Sequence, residues 1–215
     1  MRVKFCGITR IEDAREAVRL GAWAIGLNHW AGSPRRCDPG TALAISSELR
    51  RKVEIVGVFV NATLDEIAGT VEDETLSMVQ LHGDEGPAFC QEVARRTGCK
   101  VIKAMRVRSS AEIQAVTAFR TDYHLLDAHR PGTPGGTGAT FDWALVRAHQ
   151  SEIPMILAGG LTPDNVAEAI EITQPFAVDV ASGTEATPGV KDHALMAAFA
   201  ERAGVRVPEI ETAPR

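Results

Sequence analysis

One pattern constrains this chain more than any other: short apolar runs recur along its 215 residues, each followed by a segment of helical character. The runs cover residues 3–6, 24–27, 54–60, 78–81, 101–104, 123–126, 154–158 and 176–180. The third, Glu54-Ile55-Val56-Gly57-Val58-Phe59-Val60, is apolar almost throughout, as a strand is when a parallel sheet buries both its faces. Strict strand-then-helix order predicts a parallel sheet. Eight such units fit a closed (βα)8 TIM barrel, class α/β, better than an open sheet. Residues 1–204 read as that barrel and 205–215 as a flexible C-terminal tail.

The helix signals between the strands agree with this. Thr9 with Glu12 forms a capping-box pattern, and Gly21 stands at the expected stop. Asp38-Pro39 opens a helix to about residue 50, Asn61 and Thr63 open a short one to Gly69, and Pro87 to Thr97 ends at Gly98. Ser110 caps a helix to Phe119, residues 141–149 read as helical, Thr162-Pro163 caps the next, and the last spans about 192–203. These loops are short, as a barrel of this length requires.

Charge and composition narrow the function. With 23 basic against 28 acidic residues the net charge is -5, which gives no support for nucleic-acid binding but leaves room for a small anion at a local positive site. No run approaches the ~18 apolar residues of a membrane span. The four cysteines, Cys6, Cys37, Cys90 and Cys99, have no CxxC spacing and no export signal precedes them, so they read as free thiols of a cytoplasmic protein. No metal-ligand cluster is visible. Monomer and homodimer are both compatible with the length.

Barrel enzymes work from the C-terminal ends of their strands. Those ends carry Cys6, Asn61, His82, Asp127, the Gly159-Gly160 pair and Asp179 with Ser182-Gly183, and Arg35 lies in the loop after the second strand. Taken singly, Cys6 reads as a small buried hydrophobe, Asp127 as a turn residue, Arg35 as a solvated charge, and Gly-Gly as a tight turn. Together they read differently. Glycines 135, 136, 138, 159, 160 and 183 bear on three successive loops, where backbone N–H groups can approach an anion and Ser182 adds a hydroxyl. A thiol and a carboxylate at separate strand ends beside such a cradle suit proton transfer within a phosphorylated substrate.

The chain resembles the phosphoribosylanthranilate isomerases of tryptophan biosynthesis. The resemblance rests on Lys4-Phe5-Cys6-Gly7-Ile8-Thr9, Val56-Gly57-Val58-Phe59-Val60-Asn61, Gln80-Leu81-His82-Gly83-Asp84 and Leu125-Leu126-Asp127, followed by Gly135-Gly136-Thr137-Gly138. Ala158-Gly159-Gly160-Leu161, Asp179-Val180-Ala181-Ser182-Gly183 and Pro188-Gly189-Val190-Lys191-Asp192 complete the set in order. It implies an Amadori rearrangement of N-(5-phosphoribosyl)anthranilate to the carboxyphenylamino-deoxyribulose phosphate. Asp127 is then the general acid and Cys6 the general base. Arg35 is the partner of the anthranilate carboxylate, and Gly136, Gly159, Gly160, Ser182 and Gly183 hold the phosphate, with His82 and Asp179 also in the binding site. No metal or organic cofactor is implied.

A thiol with a pKa of about 8.5 is mostly protonated at neutral pH, so Cys6 needs help to ionise. Strand alternation puts Lys4 on the same side as Cys6, which makes Lys4 the candidate helper. The chain departs from the family pattern at Gly26-Leu27-Asn28-His29-Trp30, where an aromatic-rich run is usual, and Trp30 is the candidate replacement against the anthranilate ring. Competing readings are another phosphate-binding barrel of the ribulose-phosphate epimerase or thiamine-phosphate synthase type, and a silent barrel that only binds a phosphorylated metabolite. The first lacks metal partners for His82, and the second needs neither Cys6 nor Asp127.

Overall fold

Parallel pairing runs without a break from β1 (Arg2–Cys6) through β2 (Ala24–Asn28), β3 (Glu54–Phe59), β4 (Met78–Leu81), β5 (Lys100–Arg106), β6 (Tyr123–Asp127) and β7 (Met155–Ala158) to β8 (Ala177–Val180). β8 then pairs with β1, so the sheet closes as an eight-stranded barrel. This is a computed structural model, which describes residues 1–128 and 143–205. The expected (βα)8 architecture is present, with every predicted strand in place. The tail from residue 206 and the Gly135-Gly136-Thr137-Gly138 segment lie outside the described residues.

Period-two alternation divides the strand side chains between two cores. Val3, Phe5, Ile25, Leu27, Ile55, Val79, Leu126 and Val178 face the helices and pack with them. Ala24, Val56, Met78, Ile102, Leu125, Ile156 and Ala177 fill the barrel interior. At the N-terminal mouth, Trp23, Tyr123 and Phe176 pack edge-on and tilted, with ring centroids 5.2 to 5.5 Å apart, and close the floor.

Among the described residues seven α-helices cover the barrel: α1 (Ile11–Arg19), α2 (Pro39–Leu49), α3 (Leu64–Glu74), α4 (Pro87–Thr97), α5 (Ser110–Ala115), α6 (Val166–Thr173) and α7 (His193–Arg202). Asp38 caps α2 through the Thr41 N–H, and Gly98 closes α4 in the left-handed region, both as predicted. Other boundaries differ. The N-cap of α1 is Arg10, because the Thr9 hydroxyl instead donates to the Gly189 carbonyl across the barrel mouth. α3 runs past Gly69 to Glu74, stabilised at its start by a Thr63–Glu66 capping box. Ser109 rather than Ser110 caps α5, and Asn165 rather than Thr162 precedes α6, its amide oxygen accepting from the Thr162 N–H. In the segment read as helical, Trp143–Ala148 form a 3-10 helix. One element was not foreseen: β9 (Glu185–Thr187) and β10 (Val190–Lys191) make an antiparallel hairpin after β8.

Candidate active site

A cavity of about 940 Å³ opens at the C-terminal ends of the strands. Among its lining residues are Cys6, Arg35, His82, Asp127, Gly159, Gly160, Asp179 and Ser182. Eight of the ten predicted site residues thus share one concavity. Gly183 lies just beyond its wall, and Gly136 lies outside the described residues.

Cys6 ends β1 pointing into the barrel, and Gly26 opposite it on β2 makes the room. A Cβ on Gly26 would stand 2.8 Å from the Cys6 Sγ and 3.2 Å from the Lys4 Nζ. Lys4 is wholly buried, and its ammonium donates to the Asp179 carboxylate at 2.8 Å. A cation without water is tolerated only with such a partner. Burial pushes the Cys6 thiol above its ordinary pKa; the charge of Lys4 works against that, Asp179 adds to it, and Lys191 again opposes it. The Lys4 ammonium is held above the usual lysine value: burial alone would lower it, but Asp179 and Cys6 outweigh that. The resting thiol is therefore protonated, with two cations nearby to receive its negative charge. The alternation argument for Lys4 was right, and Asp179 proves to be that lysine's counter-ion.

Asp127 ends β6, and its carboxylate is 3.5 Å from the His82 Nε2. The other ring nitrogen of His82 is 3.1 Å from the buried Gln80 amide. The loop that carries His82 is braced from outside the barrel. Lys103 donates to the Gly83 carbonyl at 2.7 Å and to Glu85 at 2.8 Å, and Glu85 in turn accepts from the backbone N–H groups of Asn61 and Gly83. These bonds fix the ends of β3 and β4 together.

The glycines after β7 are conformationally required: Gly159 has φ +94° and Gly160 φ +67°. A Cβ on Gly160 would meet nothing within 4 Å, and Gly160 lines the cavity. Gly183 has a different reason to be glycine. A Cβ there would run into the Leu161 carbonyl oxygen, so the loops after β7 and β8 touch backbone to backbone.

Arg35 reaches the cavity, whereas Arg36 is exposed and lies outside it. The aliphatic part of Arg35 lies over Gly7, whose absent Cβ would stand 2.8 Å from the Arg35 Cδ. Its guanidinium is bound side-on by Glu185, with Nε to Oε1 at 2.8 Å and Nη2 to Oε2 at 2.7 Å. Burial pushes the Glu185 carboxyl up, but the bonds from Arg35 and the charge of Lys191 hold it below the usual carboxylate range. Trp30 lies at the rim with 47% of its surface exposed. Neither Glu185 nor Lys191 was singled out from the sequence. The Pro188-Gly189-Val190-Lys191-Asp192 block was the available signal, but only the hairpin shows that it serves the site.

A family model described as N-(5'phosphoribosyl)anthranilate (PRA) isomerase matches residues 3–202. The chain belongs to the phosphoribosylanthranilate isomerase family. It is 46% identical over 203 residues to an N-(5'-phosphoribosyl)anthranilate isomerase of Geobacter sulfurreducens, covering 94% of this chain and 98% of that one. Among solved structures it resembles the phosphoribosyl anthranilate isomerase of Thermotoga maritima, with TM-score 0.85, 40% identity, and 95% and 98% of the two chains covered. A second such structure, at TM-score 0.81, 38% identity and coverage of 95% and 98%, is a complex with reduced 1-(o-carboxyphenylamino)-1-deoxyribulose 5-phosphate. No helix among the described residues is long and apolar enough to cross a membrane.

Proposed function

We propose that this protein isomerises N-(5-phosphoribosyl)anthranilate to 1-(2-carboxyphenylamino)-1-deoxyribulose 5-phosphate in tryptophan biosynthesis, with Asp127 as general acid and Cys6 as general base. The observation that carries the reading is that these two side chains, three strands apart around the barrel, open into one cavity in a chain of this family.

The steps balance without a cofactor. Asp127 gives its proton to the ribose ring oxygen as the C1′–O4′ bond breaks, and the nitrogen lone pair forms the C1′=N⁺ iminium. Cys6, as thiolate, takes the C2′ proton; the C–H electrons form C1′=C2′ and return the π pair to nitrogen, giving the enolamine. Loss of the 2′-hydroxyl proton with protonation at C1′ then leaves the ketone. The iminium supplies a positive charge at the step where the thiolate is needed, so ionisation of Cys6 is favoured by substrate and by Lys4 and Lys191 together.

The rest of the cavity supports the placement of substrate. The backbone at Gly159 and Gly160 with Ser182 and Gly183 suits the phosphate, Arg35 suits the anthranilate carboxylate, and Trp30 offers its face to the ring. Gly136 is expected to add to the phosphate site.

The test follows the loss of anthranilate-type fluorescence when freshly made phosphoribosylanthranilate is added to the purified protein. Turnover is expected from the parent and none from Cys6→Ala or Asp127→Asn, each with an unchanged circular dichroism spectrum. No signal change from the parent sinks the isomerase reading, and an active Cys6→Ala removes Cys6 from the base's role.

A further inference from the structure

Arginine can bind a carboxylate by either of two edges, the side edge of Nε with one terminal nitrogen or the end edge of the two terminal nitrogens. In Arg35 the side edge is taken by Glu185. Among the described residues nothing accepts a hydrogen bond from Nη1, and Arg35 is one of the residues that line the cavity. Glu185 is itself held. Its side chain is 5% exposed, the buried Lys191 ammonium lies 3.4 Å from its Oε1, and Lys191 also donates to the Ala181 carbonyl at 2.8 Å. The turn of the β9–β10 hairpin is tied to the β1 loop by the Thr9 hydroxyl on the Gly189 carbonyl, and Gly189 adopts φ +84° against the Pro34 carbonyl. Glu185, braced by Lys191 and by the hairpin, thus holds one edge of the Arg35 guanidinium.

We propose that Glu185 is a positioning residue which, with Lys191 behind it, holds Arg35 so that its end edge meets the carboxylate of the substrate's aromatic half. This deepens the functional reading above and rests on its assignment of Arg35. The carboxylate of Glu185 does not itself touch substrate. Its charge keeps the long, rotamer-rich arginine in a single geometry before substrate arrives, so the ordering cost is met in folding rather than in binding.

Glu185→Gln preserves shape and removes the charge. It is expected to raise KM for phosphoribosylanthranilate about tenfold, the order for one loosened charge-assisted pair, with a smaller effect on kcat because Glu185 bonds to neither Cys6 nor Asp127. Inhibition by anthranilate itself should weaken in the same proportion, inhibition by inorganic phosphate should not change, and Glu185→Asp should recover part of the loss. Unchanged KM and anthranilate inhibition overturn the proposal. An equal weakening of phosphate inhibition overturns it too, because Glu185 would then be supporting the whole β8 loop. Arg35→Ala separates the two readings. Where it leaves anthranilate inhibition intact, the assignment of Arg35 fails; where it weakens that inhibition and Glu185→Gln does not, only the role of Glu185 fails.

Discussion

Lys4 shows how much one buried side chain can decide. Its ammonium has no solvent, so it persists as a cation through its bond to the Asp179 carboxylate. Replacing it by Met leaves a buried carboxylate without its partner, a loss expected to cost about 3–5 kcal/mol. The double change Lys4→Met with Asp179→Leu should restore much of that stability in urea denaturation, since an apolar pair of similar volume replaces the ions. The same Lys4→Met variant loses the nearer cation that opposes the rise of the thiol pKa, so its Cys6 should ionise at higher pH. Iodoacetamide alkylation of Cys6 against pH reads this directly. A profile that stays where the parent's is would remove Lys4 from the chemistry. Sequence alternation was enough to place Lys4 beside Cys6. The partnership with Asp179 was not legible, because the two residues are 175 positions apart and meet only where β8 closes on β1.

Among the elements, the closing helix and the hairpin before it carry the clearest prediction. The Asp192 carboxylate accepts from the N–H groups of Ala194 and Leu195 at 2.8 and 3.0 Å and so caps α7, and its own N–H donates to the Thr184 carbonyl. α7 packs on the barrel through Phe199, whose ring meets that of Phe5 edge-on at 6.2 Å. Asp192→Ala should cost about 1 kcal/mol by loss of the cap, visible as a lower urea midpoint with an unchanged m-value. An unchanged midpoint would mean that water satisfies those donors equally well. Element existence was readable for all eight strands because buried parallel strands write themselves as apolar runs. Caps were less so. Thr9 has the right residue type, but the Gly189 carbonyl, a tertiary partner, takes its hydroxyl, and α6 begins only after Asn165, three residues beyond Thr162.

At the scale of the whole molecule, a buried pair between the barrel and its helical coat governs the expected pH response. Burial pushes Glu74 up to about 7, and Asp73 adds to this. Burial pushes His29, stacked on Phe59 at 5.0 Å, down to about 4. The two groups approach to 3.3 Å. Glu74 alone binds a proton more tightly folded than unfolded, so its contribution to stability falls as pH rises from about 4.5 to about 7. His29 alone does the reverse between about 4 and 6.5. The two slopes cancel where they overlap, since the proton has only moved from histidine in the unfolded chain to glutamate in the folded one. Glu74→Gln removes one slope and leaves the other. Relative to the parent, its thermal midpoint should therefore move upward between pH 5 and pH 7.5; a difference that is constant with pH contradicts the protonated state of Glu74.

The sequence by itself determined the barrel, because eight alternating units with apolar strands have few other ways to bury themselves. It also located the strand ends that line the cavity, since strand ends follow from strand positions. The arrangement of charge was decided by the tertiary structure alone. Lys4 with Asp179, Lys103 with Glu85 and Arg35 with Glu185 are each brought together by barrel closure or by neighbouring units. The energy of such a pair depends on distance and on exclusion of water, and neither is a property of residues read in order.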